Sequence, residues 1–407
     1  MIISEDHRQI PLVAECDVVI VGGGIAGVAA ALSSARAGAK TLLLERQFTL
    51  GGLATLGLVT LYLPLCDGMG QQVSFGLAEG LLRLSVALDE IPPASLNWRN
   101  TPHPYKKQPR FEVSYNPAVM AISCEKLLLE NRVNLLYGVQ LCDCIVQDGN
   151  ITTLLCQSIE GRIAIRAKSY VDASGDAILC HCAGEATAEY QRQNILAAWY
   201  YISSDTTGYE RHTLGVADLP DEFRTAPALN QKRYRCLTSQ DQTEFVIDAH
   251  AALLKDFLNS GRLSKQHQLS TIPTIPQVRM TRRLAGSYSL PEAKSNVHYN
   301  DSIGMIGNWK CPGPIYEIPF SCLHGNQIHN LITAGRCIST DETMWDNTRV
   351  IPACAVTGEA AGLAAAMCDD MRTLHVPSLQ KNLSDRGILL HHTQLTVGTW
   401  QSQVRKE

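Results

Sequence analysis

The chain has 407 residues, 45% of them hydrophobic and 18% charged, and its 35 basic and 39 acidic side chains leave a formal net charge of −4. That length and apolar content suit two or three well-cored domains and exclude a disordered, fibrous or small disulfide-stapled protein. A balance so near neutrality produces no field favouring nucleic acid or an anionic membrane, so neither partner is expected.

Glu5, Asp6 and Arg8 precede any apolar run, which is not the pattern of a signal peptide. The fourteen cysteines are scattered without a Cys-x-x-Cys pair, so the expected compartment is the cytoplasm, with thiols reduced. The stretch from Val18 to Leu32 is apolar but interrupted by glycine, and shorter than the roughly 20 residues of a membrane span. No membrane insertion is expected. Nor is a metal: the nearest approaches to a knuckle are Cys142 with Cys144 and Cys180-His181-Cys182. The second lies in a helical segment, where alternate positions diverge by about 200° and cysteines behave as small hydrophobes.

The strongest local signal comes first. The apolar run Asp17-Val18-Val19-Ile20-Val21 leads into Gly22-Gly23-Gly24-Ile25-Ala26-Gly27, then a small-residue helix to Ala37, then Thr41-Leu42-Leu43-Leu44-Glu45. A strand, a glycine turn, a helix and a second strand ending in an acid are the parts of a dinucleotide cradle. The glycines permit a tight turn and close approach to a pyrophosphate, the helix start offers amide hydrogens, and the acid accepts ribose hydroxyls. Arg46 is either a phosphate or adenine neighbour or a solvated strand-end charge. A second glycine pair, Gly51-Gly52-Leu53-Ala54, stands where the chain leaves the second strand, and nicotinamide-binding domains do not usually need one.

From Leu56 to Arg110 the chain is punctuated by Pro64, Gly68, Gly70 and Pro92-Pro93, with a helix expected within 76–88 and an exposed basic, proline-rich loop from Thr101 to Arg110. A helix from Asn116 and a strand Val133 to Tyr137 follow. Turns at Asp148-Gly149-Asn150 and Glu160-Gly161 then separate three strand-like runs, an antiparallel meander added to the parallel sheet. The meander ends in Val171-Asp172-Ala173-Ser174-Gly175, a strand running into a glycine turn. Residues from about Ala186 to Ser321 hold most of the aromatic variety, and a helix is expected over 241–258. There Arg279, Arg282 and Arg283 can share a helical face or edge, either to bind a substrate carboxylate or phosphate or as an ion-pair cluster. Leu331-Ile332-Thr333-Ala334-Gly335-Arg336 is a buried strand entering another glycine turn, and Pro352 to Met367 is a small-residue helix.

Together these segments resemble the bacterial FAD-dependent oxidoreductase family, related to the fumarate reductase and succinate dehydrogenase flavoproteins, over nearly the whole chain. The carriers are 17–27, Glu45-Arg46 with 51–55, Tyr115-Asn116-Pro117, 171–177, 279–286, 314–319, 330–339 and 349–363. The resemblance implies an α/β fold: a Rossmann-like, glutathione-reductase-type FAD-binding domain over 1–55, 116–185 and 325–372. An inserted α+β substrate or cap domain would span 56–115 and 186–324, with a C-terminal extension over 373–407. It implies that FAD is held by Gly22, Gly24, Ile25, Ala26, Gly27, Glu45, Arg46, Gly51, Gly52, Leu53, Ala54, Leu141, Ala173, Ser174, Gly175, Gly335, Arg336 and Val350. Where the family commonly has an arginine two residues past Pro319, this chain has Ser321, so no role passes to that position.

The implied reaction is hydride transfer between a small polar or anionic organic substrate and FAD. Arg279, Arg283 and Arg349 are the candidate anion binders, and Tyr316 and His324 the acid–base candidates. The direction, the electron acceptor or donor, and self-association into a homo-oligomer stay open. Two other readings are an FAD-dependent hydroxylase and a noncatalytic flavin-binding subunit of a larger complex. No histidine adjoins Gly51-Gly52, where succinate dehydrogenase relatives tether flavin covalently. Acid precipitation of the yellow protein is therefore expected to leave the colour in the supernatant; a yellow pellet would contradict noncovalent binding.

Overall fold

A computed structural model describes residues 9–69, 71–88, 112–206, 208–215 and 231–395. The loop expected over 101–110, the prolines at 92 and 93, and the end of the C-terminal extension lie outside the described residues. The chain opens with β1 (Leu12–Val21), α1 (Ile25–Arg36) and β2 (Thr41–Glu45). Two short strands, β3 (Leu61–Tyr62) and β4 (Val113–Ser114), pair with each other, and α2 (Leu77–Ser85) lies between them in the chain. Helix α3 (Pro117–Glu130) begins where Asn116 accepts hydrogen bonds from the N–H groups of Ala118 and Val119, with proline in its first turn. It leads to β5 (Asn134–Tyr137).

The expected meander is β6 (Gln140–Gln147), β7 (Asn150–Ser158) and β8 (Gly161–Asp172), followed by α4 (Ile178–Cys182). Asp148 and Gly149 both take positive φ, 49° and 74°, the two-residue turn whose twist suits a hairpin. The inserted region contains β9 (Thr187–Glu189), β10 (Asn194–Ile195), β11 (Ala198–Ser204), β12 (Gly208–Leu214), β13 (Arg233–Tyr234), α5 (Ser239–Ser260), β14 (Gln268–Thr271) and β15 (Arg282–Leu284). The chain closes with β16 (Ser302–Gly307), β17 (Ile315–Pro319), β18 (Leu331–Thr333), α6 (Glu342–Thr348), α7 (Ile351–Met367) and α8 (Val376–Asp385).

Seven strands form the main sheet in the order β5-β2-β1-β8-β7-β6, and β18 lies parallel beside the C-terminal half of β8. The fold is thus the expected Rossmann-like α/β sheet, parallel at its centre, with an antiparallel meander. Strands β1, β2, β8 and β18 stop in register: Val21 pairs with Leu44 and Asp172, and Thr333 with Asp172. Their following turns therefore reach a single edge of the sheet.

One core surrounds α1 and α7; it also takes in Tyr62, Leu65, Leu77, Leu81, Ile303, Tyr316 and Phe320. A separate core lies between the sheet β12-β11-β14 and α5, built from Tyr200, Ile202, Phe245, Ala249, Leu253 and Phe257. Residues assigned from the sequence to the cap, among them Tyr62, Leu77, Leu81, Ile303, Tyr316 and Phe320, thus pack in the same core as the nucleotide helices. The arginine segment also departs from expectation. Arg282 and Arg283 lie in β15, paired antiparallel with Glu189 and Ala188, so no helix gathers Arg279, Arg282 and Arg283 on one face. Extended backbone won because Asn194 holds the segment: its Oδ1 accepts from Arg279 N (3.2 Å) and Met280 N (3.0 Å), and its Nδ2 donates to Met280 O (2.5 Å).

Among the described residues no single helix is long and apolar enough to cross a membrane. Helix α7 is apolar because protein surrounds it. It crosses α1 so closely that a Cβ at Gly358 would lie 2.3 Å from Ala26 O, and one at Gly362 2.0 Å from Ala30 O. Gly358→Val is expected to cost about 1–3 kcal/mol through overpacking, read as a lower denaturant midpoint. Because the displaced element is α1, flavin absorbance should fall in the same sample; an unchanged midpoint would contradict the packing argument.

Candidate active site

The edge where the parallel strands end opens into a cleft between the main sheet and the segment leading to β15. Its floor is the glycine turn. Gly22 has φ +102°, and a side chain there would meet Ala173 O at 2.6 Å; a Cβ on Gly27 would lie 1.8 Å from Gly22 O. Both glycines are required by protein packing. Gly24 differs, since a Cβ there would meet nothing within 4 Å and would project into open space. Gly24 is also the N-cap of α1 and makes no side-chain cap, so no side chain claims the first helical amides, and Ile25 and Ala26 line the cleft.

The second glycine pair abuts the first. Gly24 and Gly51 form an isolated parallel bridge, and Gly51 N donates to Gly23 O at 2.8 Å. Gly51 and Gly52 have φ of +98° and +55°, and a Cβ on Gly51 would meet Thr55 at 2.4 Å. Gly51, Gly52, Leu53 and Ala54 all line the cleft. Glu45, only 7% exposed at the end of β2, accepts from Gly23 N through Oε2 and from Gln47 N through Oε1, each at 2.7 Å. It therefore orients both turns, with lone pairs left for further donors. Exposed Arg46 and the backbone region of Leu141 line the same end, joined by Gln47, Val139, Gln140 and Ile178.

A third turn completes the cradle. Asp172, fully buried, accepts from Ser174 N (3.0 Å), Ser174 Oγ (2.6 Å) and Cys180 N (3.0 Å), pinning Ala173-Ser174-Gly175 against the cleft. Arg336 lines the cleft too, but its guanidinium is committed. It donates to Gly175 O, to Val278 O at 2.5 Å and to Asp176 Oδ1 at 2.6 Å, while Thr281 Oγ1 donates to the same Asp176 oxygen. Arg336 therefore braces the turn and ties it to the inserted region; it is not a free phosphate ligand.

Arg349, Ile351 and Cys354 also line the cleft, as do Ile275, Pro276, Val278, Gln242 and Thr281 of the inserted region. Helix α7 begins here at Val350, again without a side-chain cap, with proline in its first turn. Arg349 pairs with fully buried Asp346, through Nε at 2.8 Å and through Nη2. The other Asp346 oxygen, Oδ2, is buried without a partner among the described residues. Burial pushes the Cys354 thiol up to about 12, so it stays protonated at neutral pH. Gln277 joins the cap to this region: its Oε1 accepts from Trp199 N at 3.0 Å and its Nε2 donates to Gly57 O.

Several candidates lie elsewhere. Gly27, Gly335 and Val350 sit behind the cleft surface; Gly335 is needed because a Cβ would lie 2.7 Å from that of Ala26. Among the acid–base and anion-binding candidates, only Arg349 lines the cleft. Tyr316 is buried in the main core, its hydroxyl accepting from Asn308 Nδ2 at 3.2 Å, and burial pushes its phenol up to about 12. The His324 ring lies against Phe320 with centroids 5.0 Å apart at a 42° tilt, and its Nδ1 meets Gly325 O at 3.0 Å, with burial lowering its pKa. Arg283 lies over the Trp345 ring at 5.2 Å, and Arg279 does not line the cleft. Sequence spacing missed Gln242, Ile275, Pro276, Val278 and Thr281. Only the proline-bounded run before Arg279 hinted at an extended wall.

The residues fit an FAD. Three glycine turns meet at one edge, one glycine faces open space, two uncapped helix starts point at the same cleft, and a buried acid closes the ribose end.

Comparison with known proteins agrees. The family described as FAD dependent oxidoreductase matches residues 17–198 and 220–383. A thioredoxin reductase of Ureaplasma parvum is 35% identical over 72 residues, a stretch that is 18% of this chain and 23% of that protein. Among solved structures, a geranylgeranyl bacteriochlorophyll reductase-like protein of Thermoplasma acidophilum aligns with TM-score 0.46 at 13% identity, covering 97% of this chain and 96% of that one. The anhydrotetracycline hydroxylase OxyS of Streptomyces rimosus aligns with TM-score 0.44 at 12% identity, covering 91% and 66%. Likenesses this distant do not bear on substrate.

Glu45→Gln keeps the side-chain size but leaves one acceptor oxygen for two amides and any ribose hydroxyl. FAD titration into apoprotein, followed by fluorescence quenching, is expected to show binding weakened by about 10- to 100-fold, the loss of a hydrogen bond to a charged group. An unchanged dissociation constant would remove Glu45 from the cofactor site.

Proposed function

Because the chain belongs to the FAD-dependent oxidoreductase family, we propose that it transfers a hydride between a small polar organic substrate and noncovalent FAD bound along the cleft. The observation that carries this reading is the continuity of the cleft, a single cavity lined both by the glycine turns and by Ile275, Pro276 and Val278 of the inserted region with Arg349, Ile351 and Cys354. When bound, FAD supplies the hydride chemistry; the protein supplies position, charge and dryness.

Each residue's part follows from its surroundings. Gly22, Gly24, Gly51 and Gly52 would bring bare backbone against the phosphates, the start of α1 would offer its amides, and Glu45 would accept from the ribose. The start of α7 places a positive helix end at the substrate end of the cleft, where it favours negative charge gathering on a bound group. Ile275, Pro276 and Val278 exclude water and give a substrate body an apolar wall.

Arg349 is the polar contact for the substrate. Asp346 holds its Nε and Nη2, which fixes the guanidinium plane and leaves Nη1 for a ligand oxygen. The carboxylates beside Arg336 and Arg349 offset their charge, so this part of the site suits a neutral polar or singly anionic substrate better than a polyanion.

Anaerobic mixing of the FAD-loaded enzyme with candidate alcohols, amines, hydroxy acids and activated alkenes, the last after dithionite reduction, tests the reading. One class should bleach the oxidised flavin band, or restore it, within turnover time. Arg349→Lys keeps a charge against Asp346 but loses the planar fork. It should slow substrate-dependent flavin reduction about tenfold, about 1.4 kcal/mol in the barrier, while leaving the flavin spectrum intact. A flavin unmoved by any class, in a protein that holds FAD stoichiometrically, would instead favour a noncatalytic flavin subunit.

A further inference from the structure

We propose that His298, Glu317 and His391 form a binding site for a divalent transition metal of the zinc class, outside the flavin cleft. The three come from separate segments: the loop before β16, strand β17, and the chain after α8. Their donor atoms all lie within 4.8 Å of one another. Glu317 has a fully buried side chain and is the hub. Its Oε2 accepts from His391 Nδ1 and from Tyr299 N, each at 2.9 Å, and its Oε1 accepts from His392 Nδ1 at 2.7 Å and His392 N at 2.9 Å. His298 Nδ1 stands 3.9 Å from Glu317 Oε2, and the His298 and His391 rings are 4.3 Å apart with a 32° tilt.

Two imidazoles and one carboxylate make a borderline donor set that suits zinc, whereas magnesium and calcium take oxygen ligands. Donor atoms of a tetrahedral zinc, with bonds of about 2.0–2.1 Å, stand about 3.3 Å apart. The 2.9 Å and 3.9 Å separations from Glu317 bracket that value, and the two histidine donors lie within 4.8 Å of each other, so the ligands need to close up by about 1.5 Å at most. His298, with its side chain 49% exposed, can make the larger one and leaves an open fourth position for water. On binding, His391 takes the tautomer protonated on Nε2. The proton leaves Nδ1, and the metal replaces it between His391 and Glu317, so the carboxylate exchanges a hydrogen bond for a metal bond. His392 keeps its hold on Oε1 and orients Glu317 from behind.

The consequence is mechanical. The site clamps the chain after α8 onto the β16–β17 hairpin, and that hairpin packs on α7 at Gly304 and Val356. The test uses the full-length, tag-free, FAD-loaded protein. Calorimetric titration with Zn²⁺ should show one ion per chain, Mg²⁺ at the same concentration should show none, and Zn²⁺ should raise the unfolding temperature. Co²⁺ should give the visible absorption bands of a tetrahedral site. His298→Ala, an exposed position, should abolish all three signals with the flavin spectrum and turnover unchanged, and His392→Ala should weaken binding about 10- to 100-fold. Absence of stoichiometric Zn²⁺ binding in the unaltered protein, or binding undiminished in His298→Ala, would overturn the proposal.

Discussion

The close crossing of α1 and α7 is the contact on which the rest of the molecule depends. Glycines at 358 and 362 let the backbone of one helix rest against carbonyls of the other, so both can start at the same edge of the sheet. A helix start without a side-chain cap carries unpaired amides and a partial positive charge. Two such starts on one cleft make an anion-favouring trough with no charged side chain needed to create it. The neighbouring β16–β17 hairpin and α2 pack against α7, so the start of α7 inherits the rigidity of the core.

Charge inside the cleft is handled differently from shape. Arg336 and Arg349 both reach it, and each carries its own carboxylate, Asp176 and Asp346. Pairing offsets the cost of burying a guanidinium and locks its plane. Each pair is close to neutral as a unit, so neither arginine adds a full net positive charge to the cleft. Arg336 acts as a strut between the Ala173-Ser174-Gly175 turn and the segment at Val278, so the nucleotide domain and the inserted region meet through a part-buried hydrogen-bond network.

Much of the cofactor end was legible before any coordinates. Gly22, Gly24, Gly51, Gly52 and Glu45 stand in short spacings that only a few backbone paths can satisfy, and the cleft draws them together. The hairpin at Asp148-Gly149 was equally readable, because an Asp-Gly pair supplies positive φ twice in succession. The substrate end was not. Tyr316 and His324 are chemically apt but face the core and Gly325, and nothing in the residues around them announces that orientation. The arginine run was misread as helical because a spacing of three and four suits a helix. Asn194, far away in the chain, imposes the extended form with three hydrogen bonds.

By itself the sequence determined the strand–glycine–helix unit, the meander and the identity of the cofactor cradle, since each is encoded by neighbours within one or two turns of chain. Tertiary structure alone decided which arginine meets the cleft, which tyrosine is mere core, and that His298, Glu317 and His391 converge on one carboxylate. Those outcomes depend on partners tens to hundreds of residues apart. Local spacing carries no record of such partners; packing and hydrogen-bond satisfaction select them only when the whole chain has closed.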